Sequence, residues 1–360
     1  MSTIKYLLCL NCHPKIGGQT LKKILAAFDD DTEKAWQAKE SDLSRKLDKK
    51  IVDLIIETRN NYDPDSEIEK LKRLNIGYTT IFDKEYPAQL KELPDAPAIL
   101  YIKGNIEVLK APSLAVVGSR KFTNYGKVVG YKLAKDVADA GLTIISGLAL
   151  GIDAVAHQAA LDAEGKTVGV LGCGLDMIYP LANSNLAKKI IDSGGAVITE
   201  LSPGTPPMKQ NFPARNRIIA GLSLGTLVVE AAEESGSLIT AFSALEYNRE
   251  VFAVPGKINS ETSLGANRLI QRGAKLVIDA NDIFDELNIE IKSNQQKAKE
   301  LTPASKEEEI ILKTISQDGT IVDKIVQESG LNIIVVSTTL TMMEMKGIVE
   351  NVGGVYHRKI

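Results

Sequence analysis

Ser113-Leu114-Ala115-Val116-Val117-Gly118-Ser119-Arg120 reads as a buried strand that runs straight into a glycine turn and a cation. The pattern recurs down the chain. Leu142-Thr143-Ile144-Ile145-Ser146 runs into Gly147, and Thr167-Val168-Gly169-Val170-Leu171-Gly172 into Cys173-Gly174. Ala196-Val197-Ile198-Thr199-Glu200 leads into a long Pro-containing loop, Thr226-Leu227-Val228-Val229-Glu230 into residues 231–237, and Val251-Phe252-Ala253-Val254 into Pro255-Gly256. Continuous β-branched runs without alternation mark strands buried on both faces. The intervening segments 125–140, 152–163, 183–193 and 238–247 have helical length and period. Strand, loop and helix in repetition predict an α/β fold, a doubly wound parallel sheet of Rossmann-like type. Ligands of such sheets bind beyond the carboxyl ends of the strands. Ser119-Arg120, Gly147, Gly172-Cys173-Gly174, Lys209 to Arg217 and Ser235-Gly236-Ser237 are therefore expected on one rim.

A chain of 360 residues predicts two or three domains. A hydrophobic fraction of 44% and a charged fraction of 25% are those of an ordinary soluble protein. No apolar run approaches the roughly eighteen residues of a membrane span, and the N-terminus lacks a signal-peptide pattern. A cytoplasmic protein without membrane contact is expected. The net charge of -3 argues mildly against a general nucleic-acid binder, but a local cationic patch is compatible with it. The 3 cysteines form no disulfide framework. Cys9-Leu10-Asn11-Cys12-His13 matches the c-type haem attachment pattern, yet no export signal accompanies it and the thiols lie in an apolar helical stretch. Neither haem nor zinc is expected, since a structural zinc site wants four ligands.

Residues 1–75 read as a helical module resembling a helical hairpin, or SAM-like, with helices over 4–10, 21–28, 32–39, 51–59 and 63–74. Residues 76–288 form the Rossmann-like domain with its lead-in segment, in which 76–82 and 98–102 look like strands that pack beside the sheet. The polar stretch 289–305 reads as a linker. Residues 306–360 contain three helical segments and a hairpin around Gly353-Gly354, which make a winged helix. Its recognition helix, 332–345, carries no Arg or Lys before Lys346, so protein contact is expected over duplex readout.

The rim loops suggest their own chemistry. Arg120 can fork onto a phosphate while Ser119 and Thr123 add hydroxyls near a helix N-terminus; the alternative is that Arg120 pairs with a rim carboxylate. Gly147 and Gly151 permit close backbone approach. Asp153 and His157 stand one helical turn apart and could bond each other, more as an architectural pair than as an acid and base. Gly172-Cys173-Gly174 is no dinucleotide fingerprint, because Met177 stands at the last glycine position. The fourth loop is the most informative: Lys209, Phe212, Arg215 and Arg217 combine an aromatic with cations, the recipe for single-stranded nucleic acid. The alternative is that Phe212 plugs the core and the arginines pair with Glu200 or Glu230. Ser235 and Ser237 complete the rim or cap the following helix.

Together these motifs resemble the DprA/Smf family of DNA-processing proteins. The resemblance is carried by Val117-Gly118-Ser119-Arg120 with Tyr125-Gly126, residues 146–153 with His157, and Gly172-Cys173-Gly174 with Asp176 and Tyr179-Pro180. Phe212-Pro213-Ala214-Arg215-Asn216-Arg217, residues 235–240, Val254-Pro255-Gly256 and Gly265-Ala266-Asn267-Arg268 continue it. It spans the central domain. It implies a homodimeric, non-enzymatic protein without cofactor that binds single-stranded DNA. It further implies protection of incoming DNA and loading of the RecA recombinase during natural transformation and recombination. By this resemblance the DNA contacts fall on Arg120, Lys209, Phe212 and the neighbourhood of Gly147, with Arg249 as a further basic contact. The fold is also similar to that of LOG-type phosphoribohydrolases, in which case Glu230 would assist base release from a nucleoside monophosphate.

Overall fold

A computed structural model describes residues 2–289, 305–316, 319–345, 348–352 and 354–358. The chain forms two compact units, Met1–Glu290 and Ile291–Ile360. Apart from its two end residues, the expected linker lies outside the described residues.

The first unit is built on a 9-stranded sheet. In chain order its strands are β1 (Gly77–Thr80), β2 (Ile99–Gly104), β3 (Ser113–Val117), β4 (Thr143–Ser146) and β5 (Thr167–Val170). Then follow β6 (Ala196–Thr199), β7 (Gly225–Val228), β8 (Glu250–Ala253) and β9 (Lys275–Leu276). The spatial order is β1-β2-β6-β5-β4-β3-β7-β8-β9. From β6 to β9 all neighbours run parallel. The winding reverses at β3, which lies between β4 and β7, so the crevice for a ligand opens beyond the carboxyl ends of β3 and β7. Strands β3 to β7 are buried at every position, the reason their sequences show no alternation.

Helices cover both faces. Asn124–Asp139 and Ile152–Asp162 pack Leu133, Val137, Ala156 and Ala160 against Val116, Leu227 and Phe252. On the other face Asn211–Leu222, Gly236–Glu246 and Glu261–Gln271 bring Ile218, Ala241 and Leu269 against Ala115, Val117 and Val228. The lead-in segment departs from expectation. It joins the sheet instead of packing beside it: β2 pairs antiparallel with β6, Tyr101 opposite Thr199, and β1 pairs with β2. Pairing satisfies the backbone groups that β6 would otherwise present along an open edge. The N-terminal helices are likewise part of this unit, because Leu7, Leu21, Ile24 and Ile55 share a core with Ile99, Tyr101 and Val197. A helix over Glu40–Lys46 and the short β9 were not expected, and the expected fourth loop ends at Gln210, because Phe212, Arg215 and Arg217 stand on the helix Asn211–Leu222.

The second unit holds helices Lys306–Thr314, Val322–Ser329 and Ile333–Met345 around Ile311, Ile325, Val336, Leu340 and Tyr356. Strands β11 (Val349–Val352) and β12 (Val355–Arg358) form the wing, and β10 (Thr320–Ile321), missed in the sequence, adds a third strand beside β12. Gly353 and Lys346 lie outside the described residues.

Candidate nucleic-acid interface

The carboxyl ends of the strands do form one rim, and beyond it lies a groove of about 950 Å³. Ser119, Arg120, Lys209, Phe212, Ser235 and Ser237 line it, with Lys121, Tyr179 and Asn216.

Strand β3 ends in an exposed turn. Ser119 N–H donates to the Glu230 carbonyl (2.7 Å), which ties the turn to the end of β7. The Ser119 hydroxyl accepts from Lys121 N–H (3.0 Å) and donates to the Lys121 carbonyl (2.9 Å). That turn holds Arg120 outward. Its guanidinium stands 5.8 Å from the centroid of the Phe212 ring, and Tyr179 tilts against the same ring at 5.8 Å. Arg120, Lys121 and Lys209 have no ion-pair partner among the described residues, so their charges face solvent in the groove. Asp153, Glu234 and Glu261 contribute the groove's acidic lining.

Phe212 serves two ends. One edge of its ring packs on backbone, where a Cβ at Gly172 would stand 2.9 Å from Phe212 Cδ1, so glycine is needed there. The remainder is open and lines the groove. Tyr179 was not among the expected site residues. Its sequence signals were its place after β5 and the Tyr179-Pro180 motif of the family resemblance.

Other candidates are spent inside the protein. Arg215 also lines the groove but is only 5% exposed. Its Nη1 donates to the Gly147 carbonyl (2.6 Å) and to the Val170 carbonyl, and burial brings its pKa down to about 10. Gly147 is buried below the rim. Its Cβ space is occupied by the Arg215 guanidinium and Asp153 Oδ2, so the glycine makes room for this buried pair. Asp153 accepts from Gly147 N–H (3.1 Å) and Ala149 N–H (3.4 Å); burial raises its pKa, against the opposing pull of Arg215 and these amides. Asp153 does not bond His157, whose Nδ1 lies 2.7 Å from Thr167 Oγ1. Thr167 donates its hydroxyl proton to the Ile144 carbonyl (2.7 Å), so Nδ1–H of His157 must be the donor. Burial lowers the His157 pKa to about 3, with Arg215 adding to the effect.

Arg217 pairs with Glu200 (2.5 Å) and Asp95 (3.6 Å) beneath the rim. Arg249 precedes β8 and so lies at the opposite, amino-terminal end of the sheet, where it donates to the Gln89 carbonyl (3.4 Å). Thr123 caps the Asn124–Asp139 helix, and its hydroxyl donates its proton to Glu230 Oε1 (2.6 Å). Four expected contacts, Thr123, Arg215, Arg217 and Arg249, thus have internal partners distant in sequence, save for Thr123's own cap bond. Ser235 caps the Gly236–Glu246 helix and shares a hydrogen bond with Ser237 (2.7 Å) at the groove wall.

The ordered rim motifs correspond to a family model described as DNA recombination-mediator protein A, which matches residues 77–288, and to a DprA winged helix domain over 295–354. The chain belongs to the DprA/Smf family. Protein Smf of Escherichia coli strain K12 is 40% identical over 279 residues, 76% of this chain and 75% of that protein. The X-ray structure of DNA processing protein A from Streptococcus pneumoniae superposes with a TM-score of 0.69 at 39% identity, over 78% of this chain and 97% of that one. A Helicobacter pylori DprA structure, reported for its mode of binding single-stranded DNA, gives a TM-score of 0.54 at 31% identity over 60% of this chain and 97% of that one. Within this DprA/Smf domain the phosphoribohydrolase alternative is not favoured. Glu230 is 2% exposed and its carboxylate is held by Thr123 N–H (2.8 Å) and the Thr123 hydroxyl, away from the main groove.

Among the described residues no helix is long and apolar enough to cross a membrane. Cys9 and Cys12 of the haem-like pattern pack inside the N-terminal helices, where burial pushes both thiols up, Cys9 to about 12.

Proposed function

We propose that the protein binds single-stranded DNA in the rim groove, protects it, and delivers it to the RecA recombinase during natural transformation and recombination. The observation that carries this reading is the Arg120–Phe212–Tyr179 cluster with Lys209 beside it. Two unsatisfied cations flank an aromatic platform at the switch point of the sheet. Such a site tracks phosphates and stacks bases without choosing a sequence. The contacts are Arg120, Lys209 and Phe212, with Ser119, Ser235 and Ser237 at the wall; Lys121 and Tyr179 join them. Arg215 and Gly147 position the rim from below.

The role is binding and hand-over, without catalysis or cofactor, in the cytoplasm. The family description as a recombination mediator and the Helicobacter pylori relative's single-stranded DNA binding support the binding and hand-over part of this reading. A homodimer is part of the proposal. The short edge strand β9 leaves Leu276 partly exposed and Ile278 76% exposed, an unpaired apolar edge of the kind that meets a second copy. The division into a helical module (1–75), a DNA-binding domain (76–288), a linker (289–305) and a winged-helix domain (306–360) is retained as the working organisation. Fluorescence anisotropy of labelled oligo-dT against a matching duplex, at two salt concentrations, tests the reading. A strong preference for the single strand, weakened by salt and by Phe212→Ala, is expected; equal or absent binding of both refutes it.

A further inference from the structure

A second cavity, of about 820 Å³, opens on the other side of Thr123 from the rim groove. It lies between the first turn of the Asn124–Asp139 helix and the segment after β8, and the DNA path described above does not use it. One wall is the Tyr125 ring, 48% exposed and held in place by its hydroxyl, which donates to the Pro255 carbonyl (2.8 Å). Asn124 at the mouth makes no side-chain hydrogen bond among the described residues, and Lys257 has no ion-pair partner among them. Ser263 also lines the cavity. It is only 4% exposed, and its hydroxyl has no hydrogen-bond partner among the described residues. That hydroxyl is open to the cavity, where a ligand or water can complete it. Glu230 also lines the cavity; its Oε1 accepts from the Thr123 and Thr262 hydroxyls, whereas its Oε2 accepts from Thr123 N–H alone among the described residues, which leaves that oxygen a further lone pair for a ligand donor.

An aromatic wall, an amide, an unsatisfied hydroxyl, a carboxylate and an outer cation match the parts of a nucleotide. We propose that this cavity is a second nucleotide subsite. Tyr125 stacks the base. Asn124, Ser263 and Glu230 receive the edge of a base that carries an exocyclic amino group, and Lys257 takes the phosphate. A carboxylate accepts from an amino edge and offers nothing to a carbonyl edge, so cytosine is favoured over thymine. The inference rests on the single-strand reading, since the nucleotide is taken to belong to a strand that leaves the rim groove. A free nucleoside monophosphate presents the same chemistry.

The test uses the full-length protein with labelled oligo-dC and oligo-dT of about twelve nucleotides, a length within the range such grooves cover. Wild type is expected to prefer oligo-dC by roughly tenfold. Ser263→Ala and Asn124→Leu should abolish that preference, and Lys257→Ala, at an exposed position, should weaken both strands. Saturation-transfer NMR with dCMP separates the two sources. Contact with wild type that is lost in Tyr125→Ala shows a site for free nucleotides; a base preference without dCMP contact shows a site for strand nucleotides only. Equal affinity for the two strands, no dCMP contact and a silent Lys257→Ala overturn the subsite. If Arg120→Ala still weakens binding in that case, the rim reading stands and only the second site falls. If wild type binds neither strand, the rim reading fails, and the absence of dCMP contact then removes the subsite as well.

Discussion

Replacing Arg120 by alanine should separate ligand binding from stability. Arg120 is exposed and has no ion-pair partner among the described residues, and its guanidinium lies over the face of Phe212 at 5.8 Å. Its loss should therefore change folding stability by no more than about 0.5 to 1 kcal/mol, the worth of a surface cation–π contact. A charged hydrogen bond to a phosphate contributes about 1.5–3 kcal/mol, so affinity for oligo-dT should fall by roughly ten- to a hundredfold. One phosphate fewer also lowers the slope of log affinity against log salt by about 0.7 for a single strand. Arg217→Ala is the control with the opposite signature. Its guanidinium is largely buried against Glu200, so removal strands a carboxylate whose pKa burial already raises. That should cost about 3–5 kcal/mol of stability and leave the salt slope unchanged. Anisotropy titrations over a salt series, paired with urea unfolding, read both quantities. If Arg120→Ala keeps the wild-type slope, or if Arg217→Ala in its folded state lowers the slope as much, the division of the arginines is wrong.

Phe212→Ala should reduce affinity by about 1–3 kcal/mol for oligo-dT and oligo-dA alike, because stacking is tolerant of sequence; a loss confined to one base would contradict the platform role. Arg215→Ala should unfold at lower urea, by an amount on the order of 3 kcal/mol, because it leaves the Gly147 and Val170 carbonyls without their buried donor and Asp153 without the nearby positive charge. A folded variant of wild-type stability that had lost only DNA affinity would instead make Arg215 a direct contact. His157 titrates with a pKa near 3 in the fold against an ordinary 6.5, so its stabilising contribution is complete above the ordinary value and disappears as pH falls toward the folded one. Between about pH 7.5 and about pH 5 this amounts to roughly 2 kcal/mol, and His157→Gln should flatten that part of the acid unfolding profile; equal acid dependence in both proteins counts against it. In the winged-helix unit, the Ile333–Met345 helix exposes Ile333, Ile334 and Met342, so Ile334→Glu should leave duplex affinity untouched; a drop would assign that helix to DNA.

The sequence by itself determined the layered α/β architecture, the rim and the family. Runs such as Leu114 to Val117 can be satisfied only by burial on both faces, and the turns that follow them must then gather at one end of the sheet. It also singled out Arg120, Lys209 and Phe212, which the structure brings together in one groove. Only the tertiary structure decided which cations are free. Arg215 and Arg249 look no different from Arg120 along the chain, yet their partners Val170 and Gln89 are far away in sequence and adjacent only once the sheet has formed, while the sequence left Arg217 undecided between a ligand and Glu200, which the fold makes its partner. The place of Tyr179 beside Phe212 and the Tyr125–Ser263 cavity were set by the fold for the same reason. A charge or hydroxyl is available to a ligand only when nothing in the folded interior has claimed it, and that depends on contacts between distant segments.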